Sequence, residues 1–401
     1  MQYVSQFVSL VAVVVLSVPL AALASSGTRA SLSHSPAAVA KVIRVGPTHQ
    51  IRTLQKAAEI ARDGDVIEVD AGDYRGDTAV WTQKNLVIRG AGTRPRLLAD
   101  GQAAEGKGIF VIRGDNVTIE NLAFSGARVS DGNGAGIRLE GGRLAVVKCL
   151  FEDNENGILT SNDPKIELRV VDSTFLNNGA GDGQSHHLYA GTIAALEVTG
   201  SYFARARTGH LLKSRAKATS VLYSRLTGEG GSSSYEMDLP AGGALRAIGN
   251  LIQQGNQTEN SVMVSYGAEG YHWPDNHVHF AFNTLVNDRS QGGVFILVRP
   301  GPAKALIFNN ILMGRGELEV KAQAVVKGNL QARPDDFVNP VQFDYRLRPG
   351  SQLVGAAGVA GTVGIKDLPT REYRHAAGSV ELPGLTPLTP LSPGAFQRLA
   401  R

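Results

Sequence analysis

Val147-Lys148-Cys149-Leu150-Phe151 sets a phrase that the chain keeps repeating: an apolar or β-branched pair, a small polar residue, then a hydrophobic one. It returns as Val171-Asp172-Ser173-Thr174-Phe175, Val198-Thr199-Gly200-Ser201-Tyr202-Phe203 and Val221-Leu222-Tyr223-Ser224-Arg225-Leu226. It continues as Ile248-Gly249-Asn250-Leu251-Ile252, Ala281-Phe282-Asn283-Thr284-Leu285 and Ile307-Phe308-Asn309-Asn310-Ile311-Leu312. From Phe151 through Phe175, Phe203 and Leu226 to Ile252 the steps are 24, 28, 23 and 26 residues. Self-similarity at such a period marks stacked units that bury their apolar sides against one another.

The units read as strands. Each is a short run of Val, Ile, Leu and Phe bounded by Gly, Asn, Asp and Ser, and no 3.6-residue period crosses them. A leucine-rich repeat needs regular leucine and asparagine spacing with a helix per turn, and neither is present. A β-sandwich needs hairpin turn signals that the irregular steps lack. A parallel β-solenoid remains, and Asn250, Asn283 and Asn309 suit inward turns where side-chain amides stack and left-handed backbone is tolerated.

A solenoid absorbs all 401 residues in one continuous core. Phe7 to Ala24 is apolar and closes on Ala22-Leu23-Ala24, so residues 1–24 read as a cleaved signal peptide. The n-region has no Lys or Arg, which leaves an uncleaved membrane anchor as the alternative. Either way the expected location is secreted or periplasmic. Cys149 is the single cysteine, excluding an intrachain disulfide or a cysteine-built metal site, and it stands where other units place Ser or Asn. A formal charge of +4 and a pI near 9.1 favour an anionic partner. Charge alone does not separate a polyuronate, a lipid and nucleic acid, but few aromatics and an export signal make nucleic acid the least favoured. The chain is expected to act as a monomer without stable membrane insertion.

Residues 25–40 are rich in Ser, Ala and Gly and read as a flexible leader. Thr53 to Arg62 is an amphipathic helix with Leu54, Ala57, Ala58 and Ala61 on one face, stopping at Asp63-Gly64. Placed ahead of the first unit, it can plug an end that would otherwise expose bare backbone. The helix is followed by Gly64-Asp65-Val66-Ile67-Glu68-Val69 and Gly72-Asp73-Tyr74-Arg75-Gly76, and the far end reads Asp344-Tyr345-Arg346-Leu347-Arg348-Pro349-Gly350-Ser351. This opening and closing resemble those of the right-handed parallel β-helix proteins, the pectate-lyase-like superfamily, over roughly residues 43 to 357. The resemblance implies a single-stranded right-handed parallel β-helix with an N-terminal capping α-helix. The expected divisions are a cap at 41–76, the β-helix at 77–357 and a Pro-rich tail at 358–401, packed along the solenoid or loose.

Members of that superfamily act on acidic polysaccharides along an outer groove, but a fold alone does not supply a site. The candidate lies in His186-His187-Leu188-Tyr189, Gly209-His210-Leu211-Leu212-Lys213-Ser214-Arg215, Ser234-Tyr235-Glu236-Met237-Asp238 and Ser265-Tyr266-Gly267-Ala268-Glu269. Each follows the repeat phrase, so the four should share one sheet on successive rungs about 4.8 Å apart. The expected ladders are His187, His210 and Tyr235 in one, and Lys213 with Asp238 in another, with Arg215 on the Lys213 face.

These residue types suit β-elimination on a uronate polymer. Arg215, helped by Lys213, would neutralise the substrate carboxylate. Lys213, His187 or His210 would take the C5 proton, and Tyr189 or Tyr235 would protonate the leaving oxygen. Returning the proton to the opposite face would instead make a C5-epimerase. Glu236 and Asp238, two apart on a strand, could bind substrate, hold calcium or run hydrolysis. Tyr266, Glu269 and Trp273 of the long Tyr271–His277 insertion are further substrate-binding candidates, Trp273 as a sugar platform. The plainer readings are a hydrogen-bonded histidine ladder, a solvated Lys213–Asp238 ion pair and a hydrophobic lid at Trp273.

The polygalacturonase residues Asn-Thr-Asp, Asp-Asp and Gly-His-Gly, the Gln-Asp-Thr of pectin methylesterases and the Arg-x-Pro-x-x-Arg of the main pectate lyases are missing. The Lys, Arg and carboxylate set is closer in type to the alginate and chondroitin lyases of this fold. The leading expectation is an exported polysaccharide lyase, with an epimerase, a glycoside hydrolase or a non-catalytic glycan-binding or cell-envelope protein as alternatives.

Overall fold

One rung explains the rest. Arg143–Val147 is extended with Leu144 and Val146 buried, Leu150–Glu152 turns away with Phe151 buried, and Asn156–Thr160 forms a third side. The chain then returns as Glu167–Val171, which pairs parallel to Arg143–Val147 with Val146 opposite Val170. Repetition builds three parallel sheets in this computed structural model, which describes residues 40–358, 368–382 and 390–399. The expected signal peptide and residues 25–39 of the leader lie outside the described residues.

Sheet I has 12 strands from Val42–Val45 to Gln323–Lys327, and sheet II has 11 from Asp73–Arg75 to Leu330–Ala332. Sheet III has 10, from Ala79–Trp81 to Glu317–Val320. The parallel β-helix is therefore present, and its strands start at Val42, inside the stretch expected as a cap. Along sheet II the residues that marked the repeat face inward in register, with Phe124, Phe151, Phe175 and Phe203 stacked at centroid distances of 5.1, 4.7 and 4.5 Å. Leu226, Ile252, Leu285 and Leu312 continue that row.

The corner between sheets I and II shows why the small polar residue recurs. One residue there turns left-handed on each rung, as at Lys148, Asp172, Tyr223, Phe282 and Asn309. The next residue points inward and caps backbone on the neighbouring rung: Ser173, Ser201 and Ser224 accept from the amides of Cys149, Ser173 and Ser201. Asn250, Asn283, Asn310 and Asn329 then form an amide ladder with Nδ2 to Oδ1 distances of 2.9, 3.0 and 2.8 Å. The ladder residue of its rung is Asn310, where the sequence suggested Asn309. Asn309 occupies the left-handed position, and its Oδ1 accepts from Gly358 N outside the coil. Cys149 takes the same inward place, and burial pushes its thiol up to about 12.

Leu54–Ile60 closes the N-terminal end. Thr53 caps it by accepting from Lys56 N, Asp77 accepts from the Leu54 and Gln55 amides, and Leu54, Ala57 and Ala58 are buried. At the other end Phe337–Asn339 pairs antiparallel with Asp344–Leu347, packing Phe337, Tyr345 and Leu347 on Ile311 and Met313. The described tail lies along the solenoid. Leu368 and Leu391 pack with Tyr223, Phe282 and Phe308, and the hairpin Arg371–Tyr373 with Ser379–Glu381 sets Tyr373 on Tyr202. Among the described residues no helix is long and apolar enough to cross a membrane.

Candidate functional site

Sheet III alternates along each short strand, so the middle residue of Leu188–Ala190, Leu212–Ser214 and Met237–Leu239 faces out. Register places Leu159, Tyr189, Lys213, Asp238, Ser265 and Leu297 in one outward row. Polar groups occupy its centre and leucines its flanks. Lys213 is thus beside Asp238, as expected, with its Nζ 5.5 Å from the centroid of the Tyr189 ring. Among the described residues the Lys213 ammonium has neither a carboxylate within 4.0 Å nor a hydrogen bond, so the solvated ion pair does not form. Burial, and then the Arg215 charge, hold the lysine below its ordinary value, while Asp238 and Glu269 pull it back.

Arg215 lies just past its strand on the same side. Its Nε and Nη2 donate to Glu269 at 2.9 and 2.5 Å, and Nη1 donates to the Tyr189 hydroxyl. Trp273 Nε1 donates to Arg215 O at 3.1 Å, so the long insertion folds onto this spot. Burial raises the Tyr189 phenol and the adjacent guanidinium lowers it.

A second row runs next to the first. The His186 ring stacks on His210 at 4.6 Å, His210 meets Tyr235 edge-on at 4.9 Å, and Tyr189 meets His186 at 5.3 Å. His210 Nδ1 accepts from Tyr235 N at 3.4 Å, which leaves the ring proton on Nε2, 3.5 Å from Asp238 Oδ2. Burial holds the His210 ring neutral, its value lowered to about 3. Burial raises Asp238 to about 6 against the opposing pulls of Lys213 and the Ser265 hydroxyl, and among the described residues its Oδ1 is buried without a partner.

Three candidates lie elsewhere. His187 is fully buried: its Nδ1 accepts from Asn178 at 2.7 Å and its Nε2 donates to Ala204 O at 2.9 Å. His186 takes the ladder position foreseen for His187, because residues 186 and 187, ahead of the strand, are both buried and alternation starts only with Leu188. Glu236, also one residue ahead of its strand, faces the interior, where Ser233 donates to it at 3.1 Å and Gln254 lies 3.5 Å away. Glu236 and Asp238 therefore diverge and do not suit a shared calcium ion, and among the described residues no cluster of three or more His, Cys, Asp or Glu could hold a metal. Tyr266 stands in the inward row with Leu239 and Val298, its hydroxyl on Gly243 O.

Lys213, Arg215, Tyr189, His210, Tyr235, Asp238, Glu269 and Trp273 are brought together; His186 was missed. So was Arg138, two rungs before Tyr189 in the outward row, with a buried Nε that lacks a partner among the described residues.

No family model matches the chain. Among solved structures, the crystal structure of pectate lyase Pel9A superposes with a TM-score of 0.52 at 12% identity, over 90% of this chain and 97% of that one. The chain has the pectate-lyase-like fold. The PL6 family alginate lyase AlyGC matches with a TM-score of 0.44 at 16% identity, over 73% of this chain and 39% of that one. The PL6 family polysaccharide lyase Pedsa3628 from Pseudopedobacter saltans matches at 0.38 and 13%, over 80% of this chain and 99% of that one.

Proposed function

We propose that this chain is an exported lyase that cleaves a uronate-containing acidic polysaccharide by β-elimination across the outer face of sheet III. The observation that carries the reading is Lys213: a half-buried lysine with neither an ion pair nor a hydrogen bond among the described residues, held below its ordinary value among Tyr189, Arg215 and Asp238. A solenoid gains nothing in stability from such a group, whereas a base needs one.

In this reading neutral Lys213 takes the proton from C5 of a uronate. The electron pair forms the C4–C5 double bond, the C4–O bond breaks, and the Tyr189 hydroxyl protonates the leaving oxygen. Arg215 is occupied by Glu269 on one edge and Tyr189 on the other, so it acts by its field and its remaining N–H, not as a two-pronged carboxylate clamp. That field also favours the ionised form of Tyr189 after transfer. His210, held neutral, fixes Asp238, and Trp273 shields the Arg215 side. The basic balance of the chain favours a polyanion, and the apolar stretch before Ser25 supports export.

The test is incubation with pectate, alginate, hyaluronan and chondroitin, following the ultraviolet absorbance of the unsaturated uronate and product masses. Absorbance with cleavage supports elimination. Exchange of the C5 hydrogen without cleavage would point to epimerisation, and binding without either change to a non-catalytic glycan binder.

A further inference from the structure

Sheet II carries a second cluster that the elimination chemistry leaves unused. Its outward row places Tyr202, Arg225 and Leu251 on neighbouring rungs, and the C-terminal tail folds over them. Between floor and roof lies a cavity of about 1230 Å³. Phe343 and Arg346 also line it, and Tyr373, Arg374 and Val380 come from the tail hairpin.

The floor is rigid. The Arg225 guanidinium is buried between the Tyr202 and Phe343 rings, 5.0 and 4.5 Å from their centroids. It donates to Glu229 at 2.6 Å, and the same carboxylate oxygen accepts from the Tyr202 and Thr227 hydroxyls at 2.7 Å each. The other acidic groups of the lining are matched as well, Asp344 by Arg346 at 2.5 Å and Glu372 by Arg398 at 3.5 Å. Arg374 is left over: it is exposed at the cavity and has no carboxylate within 4.0 Å among the described residues. The lining therefore combines the rings of Phe343, Tyr373 and Phe396 with one guanidinium that has no carboxylate partner among the described residues. Flat rings cover the apolar C–H face of a pyranose, and a guanidinium forms paired hydrogen bonds with a carboxylate.

We propose that the cavity between sheet II and the C-terminal tail binds an acidic sugar unit, on a different wall from the elimination site. The choice of a uronate rests on the function proposed above; the charge and ring arrangement do not. Such a site would hold a polymer to the enzyme between cleavages.

The experiment is calorimetric titration of the full chain carrying Lys213→Ala with galacturonate and mannuronate trisaccharides, and with a neutral galactose trisaccharide. At least one acidic trisaccharide should bind. Adding Arg374→Ala should weaken that binding about tenfold, roughly one charge-assisted contact, and Val380→Trp should remove it by filling the cavity. With Lys213 restored, both cavity variants should cleave short oligomers like the parent and turn over long polymer more slowly. Binding that is unchanged in both variants, or equal for the neutral sugar, would overturn the proposal. Absence of turnover on every polymer with cavity binding intact would sink only the elimination reading, and normal turnover with no cavity binding only this one.

Discussion

Lys213 is where the sequence, the burial and the chemistry meet. Its pKa is lowered by burial and Arg215 and raised by Asp238, so removing the Asp238 charge should lower it further. The base is active when neutral. In Asp238→Asn the acidic limb of the kcat/KM profile should therefore move to lower pH than in the parent; a limb that stays put or moves up would remove Lys213 from the base role. The residue scale is also where the sequence was least legible. The offset from the core residue of a rung to its outward residue on sheet III is uneven, 8 from Phe151 to Leu159 but 14 from Phe175 to Tyr189. Alignment of His187 with His210 by similar distance was one residue off, because the stretch ahead of each strand breaks the two-residue alternation. Lys213 and Asp238 were placed correctly because both lie inside strands.

At the scale of the element, the corner ladder carries specificity that the strands lack. Asn283 Nδ2 donates to Asn310 Oδ1 and Ala247 O, while its Oδ1 accepts from the amide and side chain of Asn250. Asn283→Ala would leave buried groups of both neighbours unsatisfied and should cost about 1–3 kcal/mol per orphaned group, read as a fall in urea midpoint with an unchanged slope. An unchanged midpoint would mean that the stacked Phe and Leu row alone sets stability. The recurring small polar residue was legible because its spacing tracks the coil. The choice between Asn309 and Asn310 was not, since it depends on which of two adjacent residues takes the left-handed turn.

Over the whole molecule, the architecture followed from the repeat because each apolar phrase can be buried only by the next rung. The tail left no such period in the sequence; its place is set by Leu368, Tyr373 and Leu391 settling on side chains of sheets I and II and the corner between them. Ending the chain after Gly358 should expose Tyr202, Tyr223 and Phe308, lower the thermal midpoint and abolish the cavity on sheet II, while turnover of short oligomers on sheet III persists. Loss of that turnover in a chain that still folds would show the tail to be part of the reactive face.

The most direct test of the central claim compares turnover and thermal midpoint for the parent and Lys213→Ala on whichever acidic polymer the parent cleaves. A lost general base should lower kcat by about a hundredfold or more with the midpoint nearly unchanged, since Lys213 faces outward without a hydrogen bond or ion pair among the described residues. Retained turnover, or a loss of activity that tracks a loss of folding, would contradict it.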